Sequence, residues 1–227
     1  ILADDMGYAD IPQTGADTGI PMPALDRLTA EGTLCTNAYV SAPICTPSRM
    51  GILAGRHQSR WGSFSNAWPG APELPRFHRE ETLMPEMLKE QGYRTALIGK
   101  WHLSGNQATM GEPPPDARGF DEVTCIPGGA ASYFDGVLYR DDGSHRPTDQ
   151  YLTDKFGDLS VDFIRRHRDT PFFLFLAFNA PHAPLEAKEY DMAEFQDEVL
   201  DMDRRTYSGM MRALDRNIGQ VLDVLEE

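Results

Sequence analysis

Four short stretches of the 227-residue chain carry residue types able to do chemistry. "ILADDMGYAD" sets Asp4 and Asp5 side by side behind an apolar run. "CTPSRMGILAGR" places Cys45 four residues before Arg49, with Pro47 between them. "TALIGKWHL" ends an apolar run in Lys100 and His102, and "FFLFLAFNAPHAP" ends another in Asn179 and His182. Adjacent carboxylates are hard oxygen ligands suited to Ca2+ or Mg2+. Lysine, arginine and histidine are donors suited to an anionic oxygen. Cysteine is a poor helix cap, a role that Ser, Thr, Asp and Asn fill better. Cys45 at the start of a helix is therefore either a buried apolar filler or a reagent.

The elements that must position these residues alternate along the chain. "ILADD" reads as the end of a strand. "MPALDRLTAEG" (Met22–Gly32) reads as a short helix stopped by Gly32. "TLCTNAYV" (Thr33–Val40) reads as a strand. Thr46 is expected to cap a helix whose first residue is Pro47 and which runs to about Gly55. "TLMPEMLKEQGY" is a helix ended by Gly92, and "RTALIGK" (Arg94–Lys100) a strand. A loop-rich region with "GEPPPDARG" and "IPGGAAS" spans Trp101 to about Pro147. "YLTDKFGDLSVDFIRRHRD" is an amphipathic helix, "PFFLFLAFNAP" a buried strand, and Asp203–Glu227 a long final helix. Strand–helix alternation with buried apolar strands implies an α/β protein with a parallel sheet. In such a sheet functional residues gather beyond the carboxyl ends of the strands. Cys45, Lys100, His102, His182 and the Asp4–Asp5 pair all fall at expected strand ends.

Composition narrows the function. Net charge is −14, which argues against nonspecific binding of nucleic acid. An anionic substrate would need a local basic pocket. No run of 18 apolar residues is present, so no transmembrane segment is expected. Cys35, Cys45 and Cys125 match no zinc spacing and no dense disulfide framework. The chain begins at Ile1 inside an apolar stretch and ends inside a helix. The expectation is one domain, 1–227, truncated at both ends, with the start of the first strand and later strands missing.

The motifs resemble those of the sulfatase family. "CTPSR" followed by "GILAGR" resembles the family's Cys-x-Pro-x-Arg signature, and "GYRTALIGKWHL" its second signature. "LADDMGYAD" looks like the N-terminal metal-binding stretch, "NAPHAP" like the later histidine loop, and "RGFDEV" and "RRTYSGMMRALDRNIGQVLDVL" like further family segments in their usual order. The resemblance covers essentially the whole chain. It implies an alkaline-phosphatase-like three-layer α/β sandwich with a mostly parallel sheet, and the N-terminal catalytic portion of a sulfuric ester hydrolase.

The resemblance also implies roles. Cys45 would be oxidised to formylglycine by a separate maturation enzyme. One hydroxyl of the hydrated aldehyde attacks sulfur, and the other then expels sulfate. Asp4 and Asp5, with residue 45 as formylglycine, would hold Ca2+ or Mg2+. Arg49 would orient the hydrate, Lys100 and His182 would bind sulfate oxygens, and His102 would assist deprotonation. His57, in "GRHQSRWG", could contact substrate or merely pack. The family's later Asp-Asn metal pair and second lysine are not assigned to this chain, and Asp215 and Asn217 sit inside a helical pattern. If residues within the chain did complete the site, Asp10 or Asp215 would be the ones to examine. The expected substrate is a sulfated carbohydrate, from family breadth alone, and the expected location is periplasmic, secreted or lysosomal.

Bland readings compete at every position. Cys45 could be a structural thiol, Asp4–Asp5 a turn, the histidines satisfied packing residues, Lys100 and Arg49 solvated charges. Cys35 and Cys125 read as core or loop residues, and Trp61, Phe64 and Trp68 as packing or as a sugar platform. His78, His145 and His167 have no partner legible in the sequence. Two alternative functions remain: a phosphonate or phosphate monoester hydrolase of the same superfamily, and a non-catalytic binder of sulfated glycans.

Overall fold

The structure, a computed structural model, describes residues 1–16, 18–66, 81–103, 113–196 and 201–227. Six strands form one sheet: β1 (Leu2–Asp4), β2 (Arg94–Lys100), β3 (Glu122–Ile126), β4 (Val137–Arg140), β5 (His145–Pro147) and β6 (Phe172–Pro181). Their order is β1-β6-β2-β3-β4-β5. The first four in that order run parallel, and β4 and β5 return antiparallel. The helices are α1 (Pro23–Glu31), α2 (Cys45–Ala54), α3 (Met84–Glu90), α4 (Leu152–His167), α5 (Glu189–Ala193) and α6 (Met202–Glu226).

Strands alternate their side chains between two faces, and β2 and β6 bury both. Ala96, Ile98, Leu176 and Phe178 pack against Phe156 and Phe163 of α4 and Met210, Leu214 and Ile218 of α6. Leu97, Phe175 and Ala177 pack the other way, against Met50 and Leu53 of α2 and against Trp101 and Phe120. The result is a three-layer α/β sandwich. Each fully buried Leu, Ile or Phe contributes about 1.5–3 kcal/mol relative to exposure, which fixes the register of β2 against β6. Gly99 lets the two strands approach: its φ is 116°, and a Cβ there would lie 2.0 Å from the Ala177 carbonyl oxygen.

Three expectations need correction. Thr33–Val40 forms no strand; it is an exposed coil in which Tyr39 is 88% accessible. Strand propensity is realised only where a neighbour offers pairing, and β1 pairs with β6. Cys45 therefore enters from a coil, so three strand ends meet at the site rather than four. Second, α2 begins at Cys45 itself after an extended Ile44 (φ −145°, ψ 161°), and Thr46 does not cap it. Third, the loop-rich region contains β3, β4 and β5, three short strands separated by Gly- and Pro-bearing turns.

Candidate active site

The carboxyl ends of β1, β6 and β2 lie side by side in the sheet, and the chemistry-bearing residues follow from them. Asp4 is the last residue of β1, Lys100 the last of β2, and His182 follows β6. The N-terminus of α2 meets them from the adjoining layer and carries Cys45. Its sulfhydryl donates to Asp4 Oδ1 at 3.5 Å. The Lys100 ammonium donates to Asp4 Oδ2 and lies 3.3 Å from Cys45 Sγ. Arg49, one turn into α2, places Nη2 3.4 Å from Asp4 Oδ2 and donates from Nη1 to the Lys100 carbonyl at 2.5 Å. His182 Nε2 lies 3.5 Å from Asp5 Oδ2, and its Nδ1 donates to the Ala183 carbonyl at 2.6 Å. A carbonyl only accepts, so Nδ1 of His182 carries a proton.

Lys100 is 0% exposed and Arg49 2%, and both cations face the single buried carboxylate of Asp4. Burial pushes the Asp4 carboxyl up, but Arg49 and Lys100 outweigh it and hold the group below its ordinary value. Burial raises the Cys45 thiol, with Lys100 opposing, and the net shift is upward. Burial, with Lys100 and Arg49 adding to it, lowers His102 to about 3, so the imidazole is neutral. Its Nδ1 is buried with no hydrogen-bond partner among the described residues. Asp5 and His102 have φ of 62° and 53°. Such conformations cost on the order of 1–3 kcal/mol each and collect at functional sites. A cleft of about 200 Å³ opens over the cluster, lined by Asp4, Asp5, Cys45 and Arg49 together with Val40 and Ile44.

Two further residues fix the α2 terminus. The Thr46 hydroxyl donates to the His102 carbonyl at 2.9 Å, tying α2 to the exit of β2. The Thr46 amide donates to Asn66 Oδ1 at 3.0 Å, so Asn66 caps the helix from 20 residues away. Nothing in the local sequence signals either contact.

Other candidates lie elsewhere. His57 is exposed, bonds Ser59 Oγ at 3.0 Å and is not among the residues lining the cleft. Asp10 pairs with Arg204. Asp215 accepts from the Ala24 and Leu25 amides and so caps α1. Asn217 donates to Asp154 and the Ala213 carbonyl. Trp61 packs beside the α2-side core, Phe64 is exposed, and Trp68 and His78 lie outside the described residues. His145 packs its ring against Tyr139, and His167 meets Glu122 at 2.8 Å. Cys35 is exposed and Cys125 is buried in the core.

A mostly parallel sheet that gathers a carboxylate pair, two buried cations and a helix N-terminus at neighbouring strand ends belongs to an α/β protein of the alkaline-phosphatase-like fold. The sulfatase family profile matches residues 1–227, and the chain belongs to that family. It is 34% identical to arylsulfatase J of Mus musculus over 97% of this chain and 38% of that protein. It is 32% identical to N-acetylgalactosamine-6-sulfatase of Homo sapiens over 100% of this chain and 46% of that one. The chain thus spans less than half the length of these relatives. The crystal structure of Ps i-CgsB superposes with a TM-score of 0.89 at 34% identity, covering 100% of this chain and 54% of that one. A second structure of that protein holds k-i-k-neocarrahexaose.

Proposed function

We propose that this chain supplies the reacting residue, the oxyanion donors and part of a metal site of a sulfuric ester hydrolase that acts on a sulfated carbohydrate. The observation that carries this reading is the contact of Cys45 Sγ with both Asp4 and Lys100 at the head of α2. A cysteine that acts as itself needs a thiolate stabilised below its ordinary pKa. Cys45 is shifted the other way, so the thiol itself is not an activated nucleophile.

The residues fit a divalent cation. Ligand atoms of Asp4, Cys45 and His182 all lie within 4.8 Å of one another, and Asp5 adjoins His182. Asp4 and Asp5 would hold Ca2+ or Mg2+ through carboxylate oxygens, and residue 45 would add an oxygen once its sulfur is replaced. Bound there, the cation supplies Lewis-acid stabilisation of charge on a sulfate oxygen. As formylglycine, made by a separate maturation enzyme, residue 45 supplies a hydroxyl nucleophile with a second hydroxyl on the same carbon for release.

The rest is done by the chain itself. Lys100, fully buried and beside residue 45, places fixed positive charge where a sulfate oxygen gains charge. Arg49 holds Asp4 and the Lys100 carbonyl at once, so the carboxylate and the ammonium keep one geometry. The neutral His102 imidazole, at the exit of β2, is the group assigned to the proton of the reacting hydroxyl. His182, beside Asp5 and close to Asp4 and residue 45, orients the ester. The carbohydrate substrate is favoured by the relatives: one is named for a sulfated N-acetylgalactosamine and another was crystallised with an oligosaccharide.

The test uses the full-length protein expressed with a formylglycine-generating enzyme. Exchange of SH2 for O lowers the mass of the Cys45 peptide by about 18 Da. The converted protein is expected to hydrolyse 4-nitrophenyl sulfate and to act on sulfated galactosamine or carrageenan oligosaccharides. Turnover by Cys45→Ala, or a converted protein inert toward every sulfate ester but active on 4-nitrophenyl phosphate, would sink the reading.

A further inference from the structure

The segment "IPGGAASYFDG" between β3 and β4 contains no titratable group before Tyr133 and has no role in the chemistry above. Its contacts are nevertheless with both histidines. Gly129 faces the His102 ring so closely that a Cβ there would lie 2.5 Å from Cε1 and 2.7 Å from Nε2. The same segment receives the strand exit, since the His102 amide donates to the Pro127 carbonyl at 3.2 Å. Four residues on, Tyr133 is 0% exposed. Its hydroxyl lies 2.8 Å from the His182 carbonyl and 3.0 Å from the Asn179 carbonyl. Asn179 already accepts from the His182 amide at 2.9 Å. Glu186, just beyond the His182 loop, accepts from the Tyr133 amide at 2.7 Å and the Ser132 hydroxyl at 3.0 Å.

We propose that this loop is a positioning device for the two imidazoles: Gly129 sets the plane of His102, and Tyr133 sets the backbone that presents His182. The proposal rests on the sulfatase reading of the site. Physically, the φ of 53° at His102 persists because its surroundings hold it, and a side chain at Gly129 would take the space of the His102 ring. The single Tyr133 hydroxyl proton can go to either carbonyl of the turn that carries His182, and the Asn179 carbonyl already accepts from the His182 amide. Neither residue reaches the cleft, and both act through another side chain.

The experiment uses the full-length protein with Tyr133→Phe and Gly129→Ala, read by steady-state kinetics on 4-nitrophenyl sulfate and by histidine ring 1H–15N spectra. Tyr133→Phe removes one oxygen and keeps the ring stacked on Tyr151. It is expected to raise KM about fivefold with kcat nearly unchanged, the size of one lost buried hydrogen bond, and to move the His182 ring signals. Gly129→Ala is expected to lower kcat and move the His102 signals. General destabilisation would move neither ratio nor ring signals below the melting temperature. An unchanged KM with an unmoved His182 spectrum in folded Tyr133→Phe overturns the proposal, whatever the fate of Gly129→Ala. Should the wild type neither convert Cys45 nor cleave the ester, the functional reading falls and the ring spectra alone decide the loop.

Discussion

Cys45 Sγ lies 3.3 Å from the Lys100 ammonium, yet its thiol is raised above the ordinary cysteine value rather than lowered. Desolvation outweighs the adjacent positive charge, and Asp4, 3.5 Å away, adds repulsion. The unconverted thiol is therefore a weak nucleophile.

That relationship gives the first prediction. Iodoacetamide at pH 7.5, read by peptide mass, should label exposed Cys35 first, Cys45 slowly, and Cys125 only on unfolding, because thiolate fraction and access set the rate. Fastest labelling at Cys45 would mean an activated thiolate and overturn this expectation.

Arg49 cannot be replaced by lysine. Its guanidinium serves Asp4 and the Lys100 carbonyl together, and an ammonium is a point charge without the planar fork. Arg49→Lys should leave the Lys100 carbonyl unsatisfied and cost about 1–3 kcal/mol of stability, seen as a lower urea midpoint at unchanged slope. A midpoint equal to wild type would show that the fork is not needed.

Asp215 is a cap rather than a ligand. It accepts the Ala24 and Leu25 amides at the start of α1. Asp215→Ala should cost about 1–2 kcal/mol of stability, Asp215→Asn less, and neither should change Ca2+ affinity. A weakened Ca2+ titration in Asp215→Asn would reassign the residue.

Acid should weaken the fold through Glu122. Burial pushes this carboxyl up, but bonds from Arg166 and His167 outweigh it and bring it to about 2. A carboxyl depressed in the folded state stabilises above its ordinary value of 4.5 and loses that contribution as pH falls toward 2. The melting temperature of wild type should therefore drop more steeply across that window than that of Glu122→Gln. Parallel curves would show that the cluster is thermodynamically idle.

The parts legible in the sequence are those written in local periodicity. β2 appears with the bounds that "RTALIGK" indicates, and β6, α4 and α6 lie where apolar runs and helical spacing put them. Asp4, Lys100 and His182 could be located because each follows such a run. What stayed hidden is long-range. The exposed coil before Cys45 has strand-like residues and, among the described residues, no strand partner. Strands β3 to β5 are three to five residues long, too short for a period to register. Thr46 looks like a cap and instead bonds His102, 56 residues on. Gly129 and Tyr133 matter through contacts made only when the sheet order brings β2, β3 and β6 together.

The last prediction concerns the metal. Ca2+ takes about six to eight oxygen ligands at ~2.3–2.6 Å. Among the described residues, the cluster offers Asp4 and Asp5 as hard ligands, with His182 and residue 45 nearby. Two other acids are committed elsewhere, Asp10 to Arg204 and Asp215 to α1. Asp4 is itself shared with Lys100 and Arg49, so binding at this carboxylate competes with two buried cations. Water must fill the remaining positions, and few charged ligands place affinity near the weak end of the Ca2+ range, about 10⁻³ M. Calorimetric titration of the 227-residue chain should show this weak binding, lost in Asp4→Asn and reduced in Asp5→Asn. The Asp4→Asn control separates the site from scattered surface acids, which a net charge of −14 supplies in number. Stoichiometric binding below about 10⁻⁶ M would show that these residues form a far more complete cage than two carboxylates can.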